Sequence, residues 1–356
     1  MTGFVYESMP SRVVFGDGAL ATLADEVDRL GLGRAMVLST PEQRELAQSI
    51  ADGLGTRAAG VYDRAVMHVP MEVAAAARTE AQTRGADGCV AVGGGSTIGL
   101  GKAIALAFDL PIIAVPTTYA GSEMTPIWGL TEDGVKRTGR DRRVLPRTVV
   151  YDPRLTMSLP VGMSVTSGLN AIAHAMEGLY APDRNPITSM MAEDGIRAMA
   201  RALPCIVADP ADPQARADAL YGAWLCGATL GMVSMSLHHK LCHTLGGSFN
   251  LPHAETHAVI LPHAAAYNRA AAPEAMARMA AALGVEDAPA GLHALAKGLG
   301  APTTLSALGM TEAQLDRAAD LAVENPYWNP RPIERGAVRR LLDDAWHGRV
   351  PGRVPA

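Results

Sequence analysis

Gly88-Cys89-Val90-Ala91-Val92-Gly93-Gly94-Gly95-Ser96 decides the fold of this chain. Five residues of the kind found in strands buried on both faces run directly into three glycines and a serine. Alternation of such runs with helical stretches is the pattern of a parallel sheet covered on both sides. Glycines let the backbone approach an anion closely, and the free N–H groups of a helix start point at it. The turn therefore suits a dinucleotide pyrophosphate. It is not the GxGxxG fingerprint, and a glycine-rich turn alone is as often plain α/β architecture. The weight comes from its neighbours.

Working outward, 111–115 (PIIAV) is a second buried strand, with a helix over 97–108 between the two. Upstream, 34–39 (RAMVLS) and 59–62 are strands, followed by helices over 42–54 and 73–84. The second strand end continues Pro116-Thr117-Thr118-Tyr119-Ala120-Gly121-Ser122-Glu123. Hydroxyl-bearing turns at adjacent strand ends fit a ligand lying across the carboxyl edge of the sheet. The cofactor candidates are Gly93, Gly94, Gly95, Ser96, Thr117, Thr118 and Ser122, with Ser39 and Thr40 at the end of strand 34–39. An acidic residue there would bond a ribose 2′-hydroxyl and repel a 2′-phosphate. Thr40-Pro41 stands instead, which leaves room for NADPH as well as NADH.

Beyond Asp152-Pro153 the β signal fades, and Ala- and Met-rich stretches at helical spacing take over: 167–178, 186–203, 214–230, 234–244, 273–283 and 311–323. These are most simply core packing. The chemistry gathers in 238–263, HHKLCHTLGGSFNLPHAETHAVILPH, which holds six of the ten histidines. Imidazole suits both proton transfer near neutral pH and metal binding. His239 and His243, four apart, rise about 6 Å along one helix face. Gly246-Gly247 is expected to end that helix, and His253 returns behind Pro252. His238 and His263, taken singly, read as surface or core-edge histidines without a role. Asn170 and His174 repeat the four-residue spacing on another helix. Alone they are more often a satisfied core pair; together with the first helix they place Asn170, His174, His239 and His253 around one point. Tyr327-Trp328-Asn329-Pro330-Arg331-Pro332 is an irregular loop whose arginine is as readily a solvated cation as a carboxylate anchor.

Length and composition set the frame. The 356 residues carry two domains, 1–155 and 156–356. With 48% hydrophobic and 19% charged residues the whole chain is expected to fold. A formal charge of −5 argues against nucleic-acid or anionic-membrane partners. No targeting segment or membrane span is read. Four scattered cysteines without a CxxC motif suggest reduced thiols in a cytoplasmic protein. Cys242, beside His243, reads as a packed thiol before a nucleophile.

With these residues in view the chain resembles the group III, iron-containing alcohol dehydrogenases, and among them the maleylacetate reductase family. The resemblance runs through RVVFG at 12–16, GGGS at 93–96, PTTYAGSEMTP at 116–126, KRTGRDRRVLP at 136–146, SGLNAIAHAMEG at 167–178, CHTLGGSFNLPHAETHA at 242–258 and NPRP at 329–332. It implies an α/β N-terminal nucleotide-binding domain, an all-α C-terminal domain, an active-site cleft between them, and a homodimer. It implies NADH or NADPH as cofactor and maleylacetate, a small dicarboxylate, as substrate, reduced at its carbon–carbon double bond to 3-oxoadipate in aromatic-compound degradation.

One departure is informative. Metal-dependent members carry an aspartate where Asn170 stands, and it joins histidines matching His174, His239 and His253 around Fe²⁺ or Zn²⁺. An amide removes a charge and a hard-oxygen ligand, so a catalytic metal is expected to be absent. A second departure is Gly99, where many relatives carry a polar residue. In the resulting expectation His243 donates the proton, and His239, His253 and His174 shape and charge the pocket. Asn170, His257, Lys136, Tyr327 and Arg331 hold the substrate. The rivals are a metal-dependent alcohol or polyol dehydrogenase on the same scaffold, separable by metal analysis, and a nucleotide-binding sensor, separable by absence of turnover.

Overall fold

In the computed structural model Cys89, Val90, Ala91 and Val92 have no exposed surface, the burial on both faces that their sequence demands. The structure describes residues 4, 6–9, 11–132 and 135–351, the side chains of 135 and 136 excepted. It divides into two compact units, Ser8–Leu159, and Pro160–Ala356 with Met1–Glu7.

The first unit runs β1 (Arg12–Phe15), α1 (Leu23–Arg29), β2 (Ala35–Leu38), α2 (Arg44–Leu54), β3 (Ala58–Tyr62), α3 (Met71–Thr83), β4 (Gly88–Gly93), α4 (Gly95–Phe108), β5 (Ile112–Pro116), β6 (Ile127–Glu132), β7 (Val135–Arg140) and β8 (Thr148–Tyr151). Six strands form one parallel sheet in the order β1-β8-β5-β4-β2-β3, and β6 and β7 form a separate antiparallel ribbon. Alternation along each strand sorts the core. Val37, Val90, Val92, Ile113 and Val115 face Leu23, Val27, Ala47, Ile50 and Leu54 of α1 and α2. Met36, Leu38 and Cys89 face Ala74, Ala77, Leu100 and Ile104 of α3 and α4. Each such aliphatic side chain contributes roughly 1.5–3 kcal/mol by leaving water.

This sorting opens a site. β2 and β4 are neighbours, yet the helices that follow them lie on opposite faces of the sheet. The chain diverges at their carboxyl ends, the switch point at which parallel sheets bind ligands. Gly99 has its own reason: a Cβ there would meet Val69 Cγ2 at 2.8 Å. Val69, held at φ +46°, occupies the room a polar side chain would need.

The second unit contains α5 (Val161–Tyr180), α6 (Pro186–Ala208), α7 (Pro213–Met232), α8 (Leu237–Phe249), α9 (His253–Asn268), α10 (Pro273–Leu283), α11 (Ala288–Gly298), α12 (Gln314–Val323) and α13 (Arg335–His347), with no strand among its described residues. Starts are written locally. Asn185 caps α6 in a capping box ahead of Pro186, and Asp212 caps α7 ahead of Pro213. α5 is buried from Ser164 to Tyr180 and packs against α6, α7 and α9.

Two sequence expectations differ from the structure. α8 does not end at Gly246-Gly247 but continues to Phe249, where Asn250 takes the left-handed cap conformation (φ 54°) and bonds Leu245 O. Glycines inside a helix cost stability without stopping it; the left-handed asparagine stops it. α9, α11 and α13 were not anticipated. α9 is buried along most of its length, so it shows no polar face to give a period. Among the described residues no single helix is long and apolar enough to cross a membrane; α7 and α8 meet that measure only as a pair bent by 96°.

A methyl group at Gly93, whose φ is +149°, would lie 2.5 Å from Thr97 Oγ1 and 2.8 Å from Gln43 Oε1. Gly93→Ala is expected to cost about 1–3 kcal/mol, seen as a lower urea midpoint with unchanged slope.

Candidate active site

The carboxyl end of the sheet is built from backbone and hydroxyl groups. α4 begins at Gly95 with no side-chain cap and no acidic residue in its first turn, so its leading N–H groups are left for a ligand. A Cβ on Gly94 would sit 2.9 Å from both Thr118 Cγ2 and Thr118 Oγ1, which puts Thr118 against the glycine turn. Thr117 N–H donates to Gly93 O at 3.2 Å. Gln43, at the start of α2, donates to Thr117 Oγ1 at 2.7 Å and was not foreseen. Ser39 and Thr40 follow β2, the strand beside β4. Ser39 Oγ and Thr97 Oγ1 are buried with no protein partner. Ser122 lies farther along the loop that Thr117 and Thr118 begin.

The imidazoles gather in the helical unit. On α5, Asn170, His174 and Glu177 fall at spacings of four and three, one face of the helix. Glu177 has no exposed surface. Its Oε2 accepts from Ser236 N at 2.7 Å and contacts His239 Nδ1 at 2.8 Å; its Oε1 accepts from His238 N at 2.7 Å. An ionised carboxylate only accepts, so His239 donates from Nδ1 and leaves Nε2 bare. That nitrogen lies 2.8 Å from His174 Nδ1 and, with His239 neutral, accepts its proton. The result is a directed chain, His174 to His239 to Glu177.

The other rings close around it. His257 centres lie 5.1 Å from His239 and 4.4 Å from His253, and His243 lies 6.1 Å from His239. His243 Nδ1 is 3.1 Å from Tyr327 OH. His238 Nε2 is 2.9 Å from His257 Nδ1 and 3.6 Å from Cys242 Sγ. His238 thus belongs to the cluster, contrary to its reading as a bystander. Residues 238 and 239 point about 100° apart on α8, but α5 and α9 flank the helix and receive both. His263 lies apart, buried near Asp344 of α13 and His293 of α11. Burial pushes the Cys242 thiol well above its ordinary range, the state of a packed thiol rather than a nucleophile.

The cluster has a closed and an open side. His174, His238, His239 and His257 are buried, whereas His243 and His253 are half-exposed. Burial, then the neighbouring imidazoles, hold His238 and His257 well below the usual histidine range. Both stay neutral at neutral pH. Asn170 Oδ1 and His257 Nε2 are buried without a protein partner and offer one acceptor and one ring nitrogen to a ligand. Arg331 is placed otherwise: it stacks 4.2 Å from the Tyr267 ring centre and donates to Tyr267 O at 3.2 Å. Lys136 stands on β7, and its side chain lies outside the described residues. Sequence reading passed over Glu177, although its position three residues after His174 on the same helix face was signal enough.

The buried histidines set a sign for stability. His238 and His257, and His263 at about 4 against an ordinary 6.5, bind protons less readily folded than unfolded. Stability is therefore held above pH 6.5 and falls below it, by up to about 1.4 kcal/mol per pH unit for each group. His263→Leu is expected to flatten the fall in melting temperature between pH 6.5 and pH 4. An unchanged slope would contradict the assignment.

Comparison with known proteins gives one pattern over the whole chain. The family "Iron-containing alcohol dehydrogenase" matches residues 10–153, and "Fe-containing alcohol dehydrogenase family, C-terminal" matches residues 164–346. The chain is 63% identical to the maleylacetate reductase of Burkholderia cepacia, over 99% of this chain and 100% of that one. It is 59% identical to that of Sphingobium indicum, over 98% and 99%. The crystal structure of maleylacetate reductase from Agrobacterium tumefaciens superposes with a TM-score of 0.95 at 57% identity, covering 98% of this chain and 100% of that one.

Proposed function

Because the chain belongs to the iron-containing alcohol dehydrogenase family and is an oxidoreductase, we propose that it reduces the carbon–carbon double bond of maleylacetate with NADH or NADPH, giving 3-oxoadipate. The observation that carries this reading is the imidazole chain anchored on Glu177, beside an amide where a metal-binding carboxylate would stand. Full-length similarity to maleylacetate reductases supports the substrate.

The residues at the sheet edge fit a dinucleotide. The cradle at Gly94 is one that a Cβ would fill, the start of α4 is uncapped, and Ser39 Oγ lacks a partner. We assign Ser39, Thr40, Gly93, Gly94, Gly95, Ser96, Thr117, Thr118 and Ser122 to it. Bound there, the cofactor supplies a hydride to the alkene carbon β to the ketone. Charge then develops on the ketone oxygen as an enolate, and a proton must reach the adjacent carbon. Imidazoles answer both needs. Glu177 orients His239, and His239 in turn holds the His174 ring for the oxyanion. His243, half-exposed and bonded to Tyr327, donates the proton and regains one from solvent. His253 and His257 line the pocket. Asn170 orients the substrate, with Tyr327 and Lys136 assigned to its carboxylate side, while Arg331 is engaged with Tyr267 instead.

A catalytic iron or zinc does not fit this donor set well. Asn170, His174, His239 and His253 carry no negative charge between them, and the lone pair of His239 Nε2 is taken by the proton of His174. No step here is routed through a metal. Four free cysteines support a reducing cytoplasmic setting, and family resemblance supports a homodimer.

The test follows oxidation of NADH and NADPH with maleylacetate and, in parallel, with simple aldehydes. Turnover of maleylacetate alone is expected, unchanged after chelation and dialysis. Activity that returns only with Fe²⁺ or Zn²⁺ overturns the metal-free chemistry, and turnover of aldehydes alone overturns the substrate. His243→Ala is expected to lower kcat about 10²–10⁴-fold; near-normal turnover removes it as donor. Glu177→Gln is expected to lower kcat with little change in cofactor KM, because His239 loses the carboxylate that orients it.

A further inference from the structure

Lys102 stands on α4, two turns past the glycine turn, and is 1% exposed. Nothing in the reduction described above uses it. Its ammonium, with three donors, meets Ser122 O at 2.6 Å and Thr125 O, Thr125 Oγ1 and Ile127 O at 2.8 Å each. Thr125 Oγ1 passes its own proton to Ser122 O at 3.1 Å. One cation thus cross-links residues 122–127 to α4.

That segment is the far end of the loop that starts at Thr117 and Thr118. The near end is tied to the glycine turn by Thr117 N–H on Gly93 O and by Thr118 against Gly94. The loop is held at both ends to the same strand–helix corner, and Lys102 supplies the cation of the second tie. Around it stand Glu123 from the loop, Arg140 from β7 and, through Glu123, Tyr151 of β8, whose hydroxyl donates to Glu123 Oε1 at 2.8 Å. From α3 and the turn before β8, Arg78 and Arg143 bond α4 carbonyls at Ala103 and Leu106 instead.

We propose that Lys102 is a positioning residue for the nicotinamide cofactor: its charge holds the loop 117–127 in the conformation that binds, and losing the charge weakens binding. This rests on the cofactor reading above. Deprotonation leaves two donors and turns a lone pair toward a carbonyl, so at least one of the ties becomes repulsive. Burial lowers the ammonium to about 7, with Glu123 opposing the shift and Arg140 adding to it, so the switch falls near neutral pH.

The experiment titrates NADH and NADPH binding by fluorescence from pH 6 to pH 9 and measures kcat at saturating cofactor. The unaltered chain is expected to show a dissociation constant that rises through an alkaline limb. Lys102→Met is expected to bind at least about tenfold more weakly at pH 6, the loss of one charged tie, with no limb and with kcat preserved. Glu123→Gln removes the carboxylate that favours the ammonium and is expected to move the limb to lower pH. Binding by Lys102→Met equal to the unaltered chain, or a limb that persists in it, overturns the role. Should Lys102→Met not fold, an unmoved limb in Glu123→Gln overturns it as well. If the unaltered chain binds neither cofactor at any pH, the cofactor reading itself fails and takes this role with it.

Discussion

A single buried carboxylate organises the helical unit. Glu177 accepts the backbone N–H groups of Ser236 and His238, at the start of α8, and the ring N–H of His239. It therefore acts as the N-terminal cap of a helix other than its own, at the end where the helix dipole favours negative charge. Bonds of this kind contribute roughly 1.5–3 kcal/mol each. The geometric consequence matters more. By fixing where α8 begins relative to α5, Glu177 decides which side chains of α8 look toward His174. By accepting from His239 Nδ1 it fixes that ring's tautomer, and through it the tautomer of His174.

The chemistry follows from that constraint. Burial, and then the repulsion that each charged ring would exert on the next, holds His238 and His257 neutral. The His239–His174 arm differs in its hydrogen bonding, which ends on the Glu177 carboxylate. The cluster thus has a neutral, closed half and an arm anchored on a carboxylate. An enone reduction builds negative charge on the ketone oxygen only while the enolate exists, which hydrogen-bond donors can meet without a permanent cation.

The α/β unit works by another principle. Its candidate cofactor groups are backbone N–H, glycine and hydroxyl, positioned by strand register, and its buried ammonium, Lys102, is bonded to the loop. Gly99 and Val69 illustrate the cost: a β-branched residue sits at positive φ against a glycine, a strained arrangement tolerated where the backbone must approach a helix closely.

What was legible in the residues themselves was whatever depends on short range. GCVAV followed by GGGS specified a buried strand entering a helix, because five apolar residues cannot cover two faces otherwise. Proline and its preceding Asn or Asp specified the starts of α6 and α7. The four-residue spacings of Asn170 with His174 and of His239 with His243 specified shared helix faces. The Asn170 departure, visible in one letter, bore on the metal. Tertiary structure alone decided which faces meet. His238 and His263 are alike in sequence, yet one joins the imidazole cluster and the other packs near α13, since only the docking of α9 against α5 and α8 separates them. Gly246-Gly247 looked like a helix end and was not, because the stop is a left-handed Asn250 whose φ no composition reveals. Glu177 looked like one acidic residue among many. Its importance comes from three donors, at positions 236, 238 and 239, that only the folded chain brings within hydrogen-bond reach.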